Sequence, residues 1–165
     1  MPADPLPLET SMTRASAPTR ALRSRAAAAA YGTAAGRQVE SLLASSLAWR
    51  QARLDQPDMV SSDEAAAITR TNRETINQWI RAGRCIALDR AVRGWRLPRW
   101  QFEPAIHKQL PTIARALGTT EGWALLLFLE TPHDALDGRT PRVALEQGEA
   151  ERVLELAGVE GTAER

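Results

Sequence analysis

The sequence predicts a mainly α-helical chain: two short capped helices and a small two-stranded β wing, followed by a small helical bundle. Three observations predict it. Ser61 with Glu64 and Thr71 with Glu74 each show the S/T-x-x-E spacing that starts a helix, one shortly after the other. Ile86 to Leu88 and Trp95 to Leu97 are short apolar or alternating runs around a turn-like stretch, Asp89 to Gly94. Beyond residue 102, helix starts and stops recur at Gly118, Thr140-Pro141 and Gly148.

Composition bounds the function. A chain of 165 residues with 44% apolar content supports one or two small domains and no large enzyme with a deep core. Net charge is only +1, so the total says nothing of nucleic acid, but the distribution is uneven. Residues 1–57, 58–101 and 102–165 carry +3, +3 and −5. The single cysteine, Cys85, excludes an intrachain disulfide and a multi-cysteine metal site and fits a reducing cytoplasm, which is the expected location. With no histidine near it in sequence, Cys85 reads as a small residue at a helix end. The longest apolar run, Trp123 to Leu129, is far too short for a membrane span.

Along the chain, residues 1–35 mix Pro, Ala, Ser, Thr and Arg with almost no large apolar side chain. They bury too little to offset ordering entropy, so a disordered arm is expected, a solvated tail or an over-extended start. The run Ala26 to Ala30 offers a forward extension of a helix, and Arg14, Arg20, Arg23 and Arg25 offer phosphate contacts. Early acids and a weakly hydrophobic alanine run do not make a signal peptide. Over residues 36–57, Val39, Leu42, Leu43, Leu47, Trp49 and Leu54 fall near helical spacing, with Pro57 closing the segment. The apolar stripe of this helix packs either on the domain that follows or on a second copy, and the spacing fits both.

Residues 58–102 are the most informative. A helix starts at the Ser61 capping box, Ala65 to Ala67 allow close approach, and Ile68 supplies a core contact. The polar Thr69 to Asn72 interrupt it. A second helix starts within a residue of Asn72, itself a good cap, and runs to Ala82 before Gly83 stops it. Ile76, Ile80 and Trp79 form its apolar side, while Arg73, Glu74, Asn77, Gln78 and Arg81 fan around the other. The hairpin follows, with Arg90 and Arg93 in its turn.

Helix, turn, helix and wing are the parts of a DNA reader. An α-helix fits the major groove of B-DNA, where Arg bonds guanine and Asn or Gln bonds adenine, each with two hydrogen bonds. Arg73, Asn77 and Gln78 are of those types, with Asn72 at the start of the same helix. Arg70, Arg81, Arg84, Arg90 and Arg93 are expected on phosphates, where they give affinity, register and salt sensitivity. Glu74 either completes a capping box, the favoured role, or accepts from cytosine. The alternative for the whole set is a pair of capped helices with a solvated charged face.

The run SSDEAAAITRTNRETINQWIRAGRCIAL followed by GWRLPRWQF resembles the winged helix-turn-helix of excisionase-like and MerR-like DNA binders. One departure is Arg70, where such domains often carry a glycine in the turn between the helices.

Residues 103–158 read as a separate acidic helical module, and residues 159–165 as a disordered tail. A helix begins near Pro111-Thr112 and is interrupted at Gly118; Thr119 or Thr120 caps the next, which is apolar nearly all round. A loop, Pro132 to Gly138, precedes a helix capped by Thr140 with Pro141 at its first position, and Glu149 to Ala157 form the last. The order Trp123, Phe128-Leu129, Thr131-Pro132, Leu136-x-Gly138-x-Thr140-Pro141, Leu145 and Gly148 resembles the toxin-binding domain of Xre/MbcA/ParS-type antitoxins.

That resemblance implies a type II antitoxin, which neutralises a RES-domain toxin that degrades NAD and represses its own operon. Its partners would be the cognate toxin and operator DNA, as a homodimer or a hetero-oligomer with toxin, without cofactor or metal. The excisionase-type reader departs from the commoner Xre-type one. Trp123, Phe128, Pro132, Leu136, Arg139 and Pro141 are the expected partner contacts, Arg139 being the best single one; for Trp123, Phe128 and Leu136 core packing is the equal alternative. A stand-alone excisionase-like regulator or architectural factor without a toxin is the second reading. An enzyme is not expected, because His107, His133 and Cys85 lie in no metal-ligand or nucleophile motif.

Overall fold

The computed structural model describes residues 19–90 and 94–163. The chain divides into two compact units, Met1–Trp49 and Arg50–Arg165. The first unit, over its described residues, is one helix. This helix, α1, runs Thr19–Leu54, so its last turn belongs to the second unit. It starts well before residue 36, through the alanine run whose side chains lose no entropy on becoming helical. The part of the expected arm before Thr19 lies outside the described residues.

The second unit is mainly helical with a three-stranded antiparallel sheet. After α1 come β1 (Met59–Val60), α2 (Ser62–Thr69), α3 (Arg73–Arg81), β2 (Leu88–Arg90) and β3 (Gly94–Pro98). A 3-10 turn at Arg99–Phe102 leads into α4 (Pro104–His107), α5 (Leu110–Leu117) and α6 (Gly122–Glu130). A second 3-10 turn, Asp134–Leu136, precedes α7 (Pro141–Glu146) and α8 (Ala150–Ala163).

The sheet order is β1-β3-β2, with Leu88 opposite Arg96, Arg90 opposite Gly94, and Val60 opposite Leu97. The hairpin is where the sequence puts it, displaced toward its turn. The third strand is new, because two residues, Met59 and Val60, carry no periodicity to read.

Alternation along these segments explains how the unit is built. Met59, Ile86 and Leu88 enter a large apolar cluster with Trp100, Ile106, Leu110, Ile113, Trp123, Leu126, Leu129, Leu136 and Leu145. Val60, Cys85, Ala87 and Leu97 instead enter a smaller cluster with Ala65, Ala66 and Ile76 of α2 and α3. Successive side chains of an extended segment point to opposite faces, so one wall serves two cores. Residues 58–102 and 103–158, separable in sequence, are therefore parts of one compact unit.

Three devices hold the wall. Gln101, fully buried, closes a two-way clamp on Ile86: its Oε1 accepts from the Ile86 N–H at 2.6 Å and its Nε2 donates to the Ile86 carbonyl at 2.8 Å. Arg53 forms paired hydrogen bonds with both Asp58 (2.9 and 2.8 Å) and Glu130 (3.0 and 2.6 Å), and these bonds raise its already high pKa despite burial. The indole of Trp100 donates to the same Glu130 at 3.2 Å. Gly122 is the third: a Cβ there would collide with the carbonyl oxygen of Ala87, so α6 seats directly on the backbone just before β2.

The last helix corrects the sequence reading. α8 does not stop near Ala157 but passes through Gly158 and Gly161 to Ala163. Gly161 lies against the backbone of Ala116 and Leu117 at the end of α5, closer than any side chain permits, and this tertiary contact outweighs the weak helix propensity of glycine.

Candidate nucleic-acid interface

The geometry of the candidate reader begins with caps. Ser61 and Glu64 form the full capping box: the Glu64 N–H donates to Ser61 Oγ at 3.2 Å, and the Ser61 N–H donates to Glu64 Oε2 at 2.7 Å. The Ser61 hydrogen bonds, backbone first, lower the Glu64 pKa. α2 ends at Arg70, which adopts the left-handed conformation itself, at φ 55° and ψ 42°. The turn is not displaced to avoid the missing glycine. Hydrogen bonds from the Arg70 N–H to Ala67 O and from the Thr71 N–H to Ala66 O close it.

α3 is capped by Asn72 alone, whose Oδ1 accepts from the Thr75 N–H at 2.8 Å and from its hydroxyl at 3.0 Å. Thr71 instead shares a hydrogen bond with Thr69 at 2.9 Å. Glu74, expected to complete a second capping box, stands 3.7 Å from Arg81, both side chains well exposed. Cap duty occupies the acceptor of Asn72, leaving its amide nitrogen to a ligand. Gly83, at φ 69°, ends the helix, and the Arg84 N–H reaches back to Trp79 O at 2.8 Å.

Ile76 is fully buried and Trp79 and Ile80 half-buried, which fixes the roll of α3. Arg73, Glu74, Gln78 and Arg81 are exposed, and Asn77 is half-buried. By helical geometry these five span an arc of about 140° opposite Ile76 and Trp79. Arg73 stands 3.7 Å from Asp63, a loose exposed pair that a phosphate or base could displace. Arg84 is exposed, with its guanidinium 5.4 Å from the Trp79 ring centre. Arg90 lies in β2 and Arg93 lies outside the described residues. Trp95 is 39% exposed on β3 next to Arg96, and no motif in the sequence marks it as a contact.

Two groups behind α3 are shielded. Cys85 is buried, and that burial pushes its thiol up to about 12. His107 packs its ring against Trp79 (5.2 Å) and Phe102 (5.8 Å), and among the described residues its buried Nδ1 has no hydrogen-bond partner. Burial, with a smaller contribution from the Arg84 charge, lowers its pKa.

The expected partner contacts fare differently. Trp123, Phe128, Leu136 and Pro141 are buried in the unit's own core, so they are not presented as a surface. Pro132 is exposed. Arg139 is engaged internally: it donates to Leu136 O (3.0 Å), to Glu149 (2.6 and 3.0 Å), to Asp137 (3.2 Å) and to Gln147. Arg152 braces the same carboxylates at 2.7 and 3.1 Å. The hydrogen bond from Arg139 is the first cause of the lowered Glu149 pKa. α6 is capped by the carboxylate of Glu121, not by Thr119 or Thr120, at 3.1 Å from the Trp123 N–H and 2.7 Å from the Ala124 N–H. Thr140 and Pro141 do start α7.

The outward face of α6 is uncharged. Leu127 is 44% exposed beside a cavity of about 320 Å³ lined by Leu117, Thr119, Phe128, His133 and Glu160. His133 stands 3.2 Å from Glu160. Leu127 was hidden in sequence among its apolar neighbours. Among the described residues no group of three or more His, Cys, Asp and Glu is placed to hold a metal ion, and no helix is long and apolar enough to cross a membrane. Compared with known protein families, curated proteins and solved structures, the chain finds no match.

Proposed function

We propose that the chain binds DNA through α2 and α3 as a helix-turn-helix, with the β2–β3 hairpin as its wing. The observation that carries this is the outward arc of α3: Arg73, Asn77, Gln78 and Arg81 on one side of a helix whose other side is anchored by buried Ile76. Guanidinium and amide groups on one helix face match the donor and acceptor edges of the major groove. Arg70, Arg81, Arg84, Arg90 and Arg93 supply phosphate contacts, and Asn72 stands at the start of the reading helix. We propose further, from the residues shared with Xre/MbcA/ParS-type antitoxins, that the chain is the antitoxin of a RES-domain toxin and represses its own operon. Neither role assigns it catalysis, and both are exercised in the cytoplasm.

The DNA reading is tested by mobility shift on the chain's own promoter. Arg73→Ala or Asn77→Ala should weaken specific binding roughly 5- to 150-fold and relax sequence preference, whereas Arg84→Ala should weaken all sequences alike and lower the salt slope by about one. If Arg73→Ala and Asn77→Ala leave binding unchanged, α3 is not the reader. The antitoxin reading is tested by co-purification with the product of the adjacent open reading frame. Because Arg139 is a structural tie, Leu127→Asp is the sounder probe of the partner surface.

A second reading, a DNA-binding regulator without a toxin, is favoured by the burial of Trp123, Phe128, Leu136 and Pro141 in the chain's own core. Promoter binding without any complex in the co-purification would select it.

A further inference from the structure

A single helix has no interior, so the unit Met1–Trp49, helical over its described residues, cannot bury an apolar stripe within itself. Val39, Leu42, Leu43 and Leu47 nevertheless line one side of α1, at spacings of three, four and eight residues from Val39, within an arc of about 140°. They are 55%, 65%, 59% and 65% exposed. Glu40 and Arg37 fall outside the stripe, and between Val39 and Leu47 Ser46 is its one polar member. Contiguous apolar surface of this size is often functional.

We infer that the stripe is covered by the same stripe of a second copy of this chain, with the two α1 helices antiparallel about a two-fold axis at Leu43. Three considerations fix that occupant and that direction. The pattern is self-complementary: about Leu43, Val39 of each helix meets Leu47 of the other, and Leu43 meets its mate. A parallel pairing would crowd the two copies' Arg50 together on the same helix face, although each guanidinium already lies 5.1 Å from the centre of its own Trp123 ring, whereas the antiparallel one sets Arg50 beside Gly36. The area suffices: the four side chains expose roughly 400 Å² per copy, and with flanking methyl and methylene groups a pair buries on the order of 1,000 Å², the lower bound for a specific interface. The inference stands apart from the DNA-binding and antitoxin readings and holds if either fails.

Sedimentation equilibrium of the purified full chain at about 50 μM decides it. The expected mass is twice the 18.1 kDa of one chain. Leu43→Glu and, independently, Leu47→Glu each reduce it to one chain mass, with the melting of the Arg50–Arg165 unit unchanged. A monomeric wild type, or a Leu43→Glu variant that stays dimeric, overturns the inference. Direction is read by oxidation: Val39→Cys mixed with Leu47→Cys gives a disulfide-linked pair, while Val39→Cys alone gives none. Self-linkage of Val39→Cys overturns the antiparallel register. The native Cys85 thiol, buried and mostly protonated at neutral pH, does not compete.

Discussion

Replacing Gln101 by leucine is expected to cost the Arg50–Arg165 unit about 3 kcal/mol, a large loss for one buried side chain. Gln101 and Ile86 are both fully buried, and the glutamine amide satisfies both backbone groups of Ile86, at 2.6 and 2.8 Å. Leucine keeps much of the volume but leaves a buried N–H and a buried carbonyl without these partners, at about 1–3 kcal/mol each, offset in part by better apolar contact. For a unit of this size the loss lowers the melting temperature by roughly 10 °C. Thermal and urea unfolding followed by far-UV circular dichroism and tryptophan fluorescence measure it. A shift below about 3 °C would mean that the Ile86 groups find other partners and that the clamp contributes little. Gln101→Glu sharpens the test. Its carboxylate accepts from the Ile86 N–H but sets its second oxygen against the Ile86 carbonyl, so its folded pKa is raised by burial and by that oxygen. Its stability is then present below the ordinary glutamate range and lost as pH rises through the folded value.

Three further outcomes are expected. Arg70→Gly relieves a left-handed residue at φ 55° and should stabilise by about 1 kcal/mol, seen as a rise of a few degrees in melting temperature, while weakening DNA binding if Arg70 contacts phosphate. His107, whose folded pKa is lowered by burial and by Arg84, takes up a proton in the unfolded chain near its ordinary value of 6.5 before it does so in the fold. Stability should therefore fall as pH drops below that value, and His107→Phe should flatten this part of the curve measured by urea titration. The Cys85 thiol, held at about 12 by burial, should react with a maleimide at pH 8 only through opening of the fold, with the rate rising at least about 100-fold in denaturant. Rapid labelling of the native protein would show that Cys85 is not buried in solution.

What the sequence determined by itself is local. The Ser61–Glu64 box, the Asn72 cap, the Gly83 and Gly118 stops, the hairpin and the Thr140-Pro141 start all stand in the structure. Each is a matter of atoms within a few residues of one another. The outward face of α3 was legible for the same reason, since helical period alone separates Ile76 from Arg73 and Gln78. Tertiary structure decided the rest. It paired β1 with β3, turned Ile86 and Ala87 into different clusters, and made one unit of two stretches that differ in charge. It buried Trp123, Phe128, Leu136 and Pro141, locked Arg139 onto Glu149, and left Leu127 exposed. Composition marks these side chains as apolar or charged, but which of them meets solvent depends on segments far apart in the chain. The hydrogen bond between Arg53 and Glu130 spans 77 residues, and no periodicity or cap records a contact at that distance.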